Sequence, residues 1–375
     1  MSEFTIKEIN GKYITDELHQ IGFDEGYRFA VKDKFLYKNI KVFNLTPAQA
    51  NILKQTALSV GADCGTHREV IRGGIEYSDA ILGGSINQLK KIAEKLKLQP
   101  FKLPLLAETI LDNLKEHKRK TKLVGILNVT PNSFSDGGKY FEPTDAIKHL
   151  MTLIEDGADM IDIGAESTKP YSDAVSAKEQ IRRLKPIFEF VQKENITVPI
   201  SVDTRSSEVA DFALNNGAEI INDVSGFDYD KNMPTIIGKY SAGVIIQHSK
   251  GTPENMQDSP KYENLIDEIF FDLKRKAAIA EENGIKNIIA DPGIGFGKTK
   301  ENNFEILDRI EEFFALNYPV MLGVSRKSLL EIKNDDNDLK DSLSLAISYP
   351  LLQKGVDYLR VHNVKLHQYI SNILE

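Results

Sequence analysis

From Leu123 onward, short apolar runs alternate with amphipathic stretches. The runs at 123–129, 159–165, 198–203, 218–224, 243–248, 287–291, 319–324 and 357–362 are bounded by turn residues, which predicts strands covered on both faces. Helical patterns fall between them, including Asp145 to Asp156, Ala177 to Lys193, Ser206 to Asn216, Glu263 to Asn283, Asn302 to Ala315 and Leu339 to Lys354. Eight strand–helix units within residues 121–375 predict an α/β fold of the (β/α)8 TIM barrel type, which takes about 250 residues. An open doubly wound sheet would place a Gly-rich dinucleotide turn after its first strand, and no GxGxxG follows Leu127.

The pattern before residue 121 is different. Residues 1–40 mix polar and aromatic positions without a clear period. A strand at Lys41 to Leu45 precedes a helix that Thr46 caps, Pro47 opens and Gly61 ends. A Gly-rich middle runs from Gly61 to Gly84, then Ser85 caps a helix to Leu98, and a further helix spans about Leu105 to Lys118. The expectation is a small N-terminal α/β unit over 1–120, of unassigned role, and a catalytic barrel over 121–375.

Charge supports that boundary. Residues 1–120 hold 19 Lys+Arg against 15 Asp+Glu, whereas 121–375 hold 28 against 40, within a total of −8. Neither half concentrates basic residues into a stripe, so nucleic acid is not an expected partner. No apolar run approaches the roughly 18 residues that span a bilayer, and the first twenty residues lack a signal-peptide core. The single cysteine, Cys64, rules out an internal disulfide or a thiolate metal cluster and fits a reducing cytoplasm.

The strand ends carry the chemistry. In order they deliver Asn128; Asp162 and then Glu166 to Pro170; Asp203 and Arg205; Asn222 and Asp223; Gln247 and His248; Asp291; Ser325 to Ser328; and Arg360, His362 and Asn363. In a barrel these ends meet at one mouth, where the active site belongs. Asp162, Asp203, Asn222 and Asp291 form an acceptor-rich set suited to a flat heterocycle with several N–H donors. Lys169, Arg205, Lys298, Arg326, Lys327, Arg360 and His362 form a cationic set suited to an anionic leaving group. Asn128 offers either a carbonyl ligand for Mg²⁺ or a metal-free structural amide. The Gly293–Lys298 loop lacks the Walker spacing, and its glycines suit close backbone approach to a flat ligand.

These segments resemble the dihydropteroate synthase family. NVTPNSFSDGG (128–138), DIGAESTKP (162–170), SVDT (201–204), INDVSG (221–226), HSKGTP (248–253), DPGIGFGKT (291–299), GVSRKS (323–328) and RVHNV (360–364) stand in the family's order. The resemblance implies a transferase of folate biosynthesis, a sulfonamide target. It joins 6-hydroxymethyl-7,8-dihydropterin diphosphate to p-aminobenzoate and releases pyrophosphate with Mg²⁺. It further implies that Asp162, Asp203, Asn222, Asp291 and Lys327 hold the pterin, and that Asn128, Arg360 and His362 hold the diphosphate, with Asn128 on the metal. Phe134, Thr168, Lys169, Pro170, Phe296 and Ser328 would surround p-aminobenzoate. Asp203, Asp291, Lys327 and Arg360 would carry the chemistry, and barrel dimers through outer helices would be usual.

Four departures from the family's pattern stand out: Lys169 for an Arg, Tyr171 for a Gly, Gln247 and Ser249 flanking His248 in place of methionines, and Asn363 for an Asp. Two other readings share parts of the site. A methyltetrahydrofolate–corrinoid methyltransferase would use the carboxylate and Asn set without a diphosphate, and a non-catalytic pterin-binding protein would have no need of the anion set.

Overall fold

The structure, a computed structural model, describes residues 4–115, 120–130, 143–166, 175–251, 260–330 and 336–374. The chain divides into two compact units, Met1–Glu116 and His117–Glu375.

In the first unit, α1 (Ile14–Gln20) and α2 (Glu25–Val31) lie in the stretch where the sequence shows no period. The predicted strand extends to β1 (Tyr37–Leu45) and is followed by α3 (Pro47–Leu58). The Gly-rich middle holds two strands that composition concealed, β2 (Asp63–Thr66) and β3 (Ser78–Ser85). They join β1 in an antiparallel sheet of order β1-β3-β2. Gly83 belongs in β3 because a Cβ there would stand 2.6 Å from Tyr37 Oη and 2.8 Å from Asn39 Oδ1 on the neighbouring strand. Two further helices follow, α4 (Ile86–Leu96) and α5 (Leu103–Asn113). Thr46 and Ser85 close capping boxes with Gln49 and Gln88, satisfying amides that the first helical turn leaves without partners. Leu53, Leu82, Leu89, Ile92 and Leu103 build the core between sheet and helices.

The second unit is the predicted barrel. Its strands are β4 (Lys122–Asn128), β5 (Met160–Gly164), β6 (Ile200–Asp203), β7 (Ile220–Asp223), β8 (Gly243–Gln247), β9 (Ile288–Asp291), β10 (Met321–Gly323) and β11 (Tyr358–Val361). All neighbours pair in parallel, in the order β10-β11-β4-β5-β6-β7-β8-β9. A bridge from Ala290 to Val320 brings the two ends together. The surrounding helices are α6 (Pro143–Glu155), α7 (Ala177–Lys193), α8 (Ser207–Asn215), α9 (Met233–Lys239), α10 (Leu265–Glu282), α11 (Lys300–Asp308), α12 (Asn337–Lys354) and α13 (Val364–Leu374). The helix expected over Asn302 to Ala315 instead changes into a 3-10 helix at Ile310–Leu316. Its buried residues Ile310, Phe313 and Leu316 recur every third position, the period of that tighter helix.

Alternation along each strand separates two environments. Leu123, Leu127, Ile161, Ile163, Val202, Ile221, Val244 and Ile246 join the core shared with the helices. Residues of the opposite parity point into the barrel, whose floor is a separate apolar layer of Val124, Met160, Ile220, Ile245, Ile289 and Met321. One or two steps further along the same parity stand Asn128, Asp162, Ser201, Asp203, Asn222, Gln247, Asp291, Arg360 and His362. The strands therefore change from oil to acid at one level. No helix among the described residues is long and apolar enough to cross a membrane.

Candidate active site

At the centre of the mouth two carboxylate strand ends converge on one guanidinium, and an amide strand end joins one of the carboxylates. Asp162 accepts from Asn222 Nδ2 at 3.0 Å, from Arg360 Nε at 2.5 Å and from Ser201 Oγ. Arg360 Nη2 also donates to Asp203 Oδ2 at 2.9 Å. β5, β6 and β11 are thus tied together by one partly buried cation, and β7 joins them through the Asn222–Asp162 bond, because charge in a low-dielectric interior demands a paired and hydrogen-bonded neighbour.

Two acceptors stand outside that arrangement. Asp203 Oδ1 and Asn222 Oδ1 are buried and make no hydrogen bond, although their side chains are only 6% and 1% exposed. A buried polar atom without a partner costs about 1–3 kcal/mol, so this pair fits a site that waits for a ligand's N–H groups.

Asp291 and Lys327 form a second edge. Asp291 Oδ1 accepts from Gly293 N at 2.7 Å. Lys327 Nζ donates to Ile294 O at 2.5 Å and lies 4.9 Å from the centre of the Phe296 ring. Gly293 has φ +74°, and a Cβ there would fall 2.0 Å from His248 O. The glycine lets the β9 loop rest directly on the end of β8. His362 holds Ser325 Oγ through its backbone N–H at 3.2 Å and its Nδ1 at 3.0 Å. Asn128 ends β4 beside Gly164, where a Cβ would stand 3.4 Å from its Oδ1.

Electrostatics follow from this crowding. Burial pushes Asp203 up to about 7, against the pull of Arg360 and with help from Asp162. Burial also raises Asp291, and Lys327 opposes it. Lys327 itself is lowered to about 8 by burial, despite Asp291. His362 is lowered to about 3 by burial and by Arg326 and Arg360, so its imidazole is neutral at physiological pH.

Several expectations need correction. Arg205, Lys298 and Arg326 do not form one anion-binding set with Lys327, Arg360 and His362. Arg205 pairs with buried Glu166 at 3.4 Å and stacks 4.5 Å over Tyr229. Lys298 is buried against His248 Nδ1 at 2.9 Å and Phe296 O at 3.0 Å. Arg326 is held by Asp341 at 2.7 Å and 2.8 Å. Asp223 has the opposite strand parity and turns to the backbone N–H groups of Ser225 and Phe227. Phe134, Thr168, Lys169, Pro170 and Tyr171 lie outside the described residues, as does the side chain of Ser328.

Lys276, on α10, is fully buried. It donates to Gln247 O at 3.0 Å and Ser225 O at 3.3 Å, with Asp272 at 2.9 Å. It fastens the ends of β7 and β8. A lysine amid the helix's many charges gave no sign of this; Asp272 four residues before it was the available clue.

Comparison with known proteins agrees with this geometry. The family described as "Pterin binding enzyme" matches residues 124–362. A Helicobacter pylori protein named "Bifunctional dihydropteroate synthase/dihydropteroate reductase" is 31% identical over 367 residues, covering 96% of each chain. A Haloferax volcanii protein named "Probable bifunctional folylpolyglutamate synthase/dihydropteroate synthase" is 34% identical over 343 residues, or 84% of this chain. The chain spans 40% of that relative's length. Among solved structures, the dihydropteroate synthase from Anaplasma phagocytophilum with bound 6-hydroxymethylpterin-monophosphate is 41% identical, with a TM-score of 0.61 over 68% of this chain and 100% of its own. The chain belongs to the dihydropteroate synthase family of pterin-binding transferases.

Proposed function

We propose that the chain condenses 6-hydroxymethyl-7,8-dihydropterin diphosphate with p-aminobenzoate, giving 7,8-dihydropteroate and pyrophosphate. The observation that carries this reading is the pair of unpartnered acceptors, Asp203 Oδ1 and Asn222 Oδ1. An aminopyrimidine edge supplies the donors they lack. Asp162, Asp291 and Lys327 complete the pterin pocket, while Arg360, His362 and Asn128 receive the diphosphate. Phe296 borders p-aminobenzoate in this reading; the other side chains that the family resemblance assigns to that substrate lie outside the described residues.

The bond from the pterin methylene carbon to the diphosphate oxygen breaks, and its electron pair leaves on pyrophosphate. The arylamine nitrogen forms the new C–N bond and gives its proton to solvent. Asp203 and Asp291 stabilise the positive charge that develops on the ring, in a site where fixed charges act strongly. No side chain is needed as a nucleophile. The donor type also fits Mg²⁺: Asn128 offers one neutral oxygen to an ion that would take its other ligands from water and the substrate's phosphates and would neutralise the leaving oxygens.

Purified protein should release pyrophosphate and dihydropteroate in equal amounts when Mg²⁺ and both substrates are present. Asn128→Ala should lower kcat/KM roughly 100-fold, the scale of losing one preorganised polar contact. Tight pterin binding without pyrophosphate release would remove the reading.

The pH dependence has a definite sign. Asp203 acts ionised and Lys327 acts charged, so kcat/KM should rise with pH through about 7 and fall beyond about 8. A flat profile extending from below these limits to above them would show that neither group titrates in the free enzyme.

The Helicobacter pylori relative supports a second reading, because its match takes in the N-terminal unit and its name includes a dihydropteroate reductase. In that case a hydride from a reduced nicotinamide or flavin would add to the pteridine ring and a proton to its adjacent nitrogen. Supplying NADH, NADPH and flavin with dihydropteroate tests it, and no tetrahydropteroate from an active synthase would rule it out.

A further inference from the structure

Arg326 has a backbone that its side chain does not favour. Its φ is +54°, in the left-handed region that L-residues avoid unless the surroundings impose it. Three contacts impose it here. Its N–H donates to Ser344 Oγ at 3.0 Å, and its Nε and Nη2 donate to the two oxygens of Asp341 at 2.7 Å and 2.8 Å. Asp341 and Ser344 both lie on α12 and are both buried.

The strained residue stands between two residues of the proposed site. Ser325, before it, holds His362; Lys327, after it, holds the β9 loop at Ile294 O. A change at Arg326 therefore moves both ends of the pocket.

Asn363 completes the hold. Its Nδ2 donates to Asp341 Oδ2 at 3.2 Å, while its Oδ1 accepts from Leu366 N at 3.0 Å and caps α13. One end must donate and the other must accept, so the amide suits the position and an aspartate does not. Arg326 holds Asp341 below the usual carboxylate range against burial.

We propose that Asp341 and Asn363 are positioning residues, a carboxylate–amide clamp that fixes Arg326 and through it Ser325, His362 and Lys327 for the pterin diphosphate. The proposal rests on the reading of His362 and Lys327 as substrate contacts, and it assigns no contact of Asp341 or Asn363 with substrate.

The test uses the full chain and three variants: Asp341→Asn, Asn363→Asp and the exchange Asp341→Asn/Asn363→Asp. Each single variant should raise KM for the pterin diphosphate about 10- to 100-fold at pH 8, the scale of an ångström-sized displacement. KM for p-aminobenzoate should stay within about threefold. In Asn363→Asp two carboxylates face each other, so one takes up a proton readily, and the ratio of its KM to that of the starting protein at the same pH should fall back toward one as pH falls toward 6. Asp341→Asn should show no such recovery. The charged and titratable groups that act on Asp341 are Arg326 and His362, and His367 also stands within its field.

The exchange puts an amide beside Arg326, whose Nη2 then meets an NH2 group in place of Asp341 Oδ2, so KM should not recover; because both changes break one clamp, its loss should be no larger than that of the worse single variant, a coupling that independent sites do not show. Losses that multiply in the exchange, or a lowered Tm with both KM values unchanged, would reduce the clamp to ordinary packing. If Asn363→Asp does not fold, Asn363→Ser keeps a capping oxygen and loses the reach of the amide, and it should raise the pterin diphosphate KM at every pH. A His362→Ala control separates the two ideas. An unchanged pterin diphosphate KM there would mean that the diphosphate reading has failed rather than the clamp.

Discussion

Replacing Asp203 with Asn should lower kcat/KM for the dihydropterin diphosphate about 1,000-fold while leaving the fold intact. The carboxylate has two duties. Its Oδ2 accepts from Arg360 at 2.9 Å, and its Oδ1 has no partner. An amide has only one oxygen, and Arg360, which cannot accept, takes it. The NH2 group then occupies the place of the free acceptor and faces the donors of the ring. The substitution thus exchanges attraction for a donor–donor clash and removes a charge that balances the developing cation. One preorganised contact is worth about 10²–10³ in rate, and the mismatch adds to it. Stability should move the other way. Burial raises the Asp203 pKa above its unfolded value, so the ionised form penalises folding as pH rises through that range. At pH 8 the variant should melt at or above the temperature of the unsubstituted protein. Loss of activity by less than tenfold, or a lowered melting temperature at pH 8, would contradict this account of Asp203.

The same arithmetic of donors and acceptors explains what the sequence did and did not disclose. Short apolar runs ending in polar residues were enough to find eight strands, because a barrel strand buried on both faces has no polar face to confuse the pattern. The step of two along a strand also separates Asn222 from its neighbour Asp223, yet the phase of β7 was needed to see which one enters the mouth. Charged residues were harder. Arg205, Lys298 and Arg326 look alike in sequence to Lys327 and Arg360, and only their partners, Glu166, His248 and Asp341, distinguish a neutralised or buried cation from a functional one. Those partners lie 39, 50 and 15 positions away, beyond any local rule. In the N-terminal unit the glycines of Gly61 to Gly84 hid β2 and β3, because strand propensity penalises the residue that close packing at Gly83 requires.

Arg360→Met should cost about 3–5 kcal/mol of stability at neutral pH, the scale of removing one partner from a buried ionic cluster. For a unit of this size that lowers Tm by roughly 10 °C. Arg360 donates to Asp162 and to Asp203, so its loss leaves two buried carboxylates facing each other. The folded-state pKa of Asp203, already raised by burial, rises further, and the sign of the pH effect follows. A carboxyl raised above its unfolded value of about 4 favours the folded state only while it is protonated. The variant should therefore be least impaired near pH 5 and lose stability steadily toward pH 8, more steeply than the unsubstituted protein. Methionine fills much of the arginine's apolar volume, so the slope against pH isolates charge from packing. Activity should fall with stability, since in the proposed reaction the variant also lacks a cation for pyrophosphate, and excess pterin diphosphate should restore only part of it. Melting curves at four pH values from 5 to 8 decide the matter. Parallel losses at every pH would show that Arg360 acts by packing, whereas a widening gap with rising pH identifies it as the charge that lets two carboxylates share the barrel mouth.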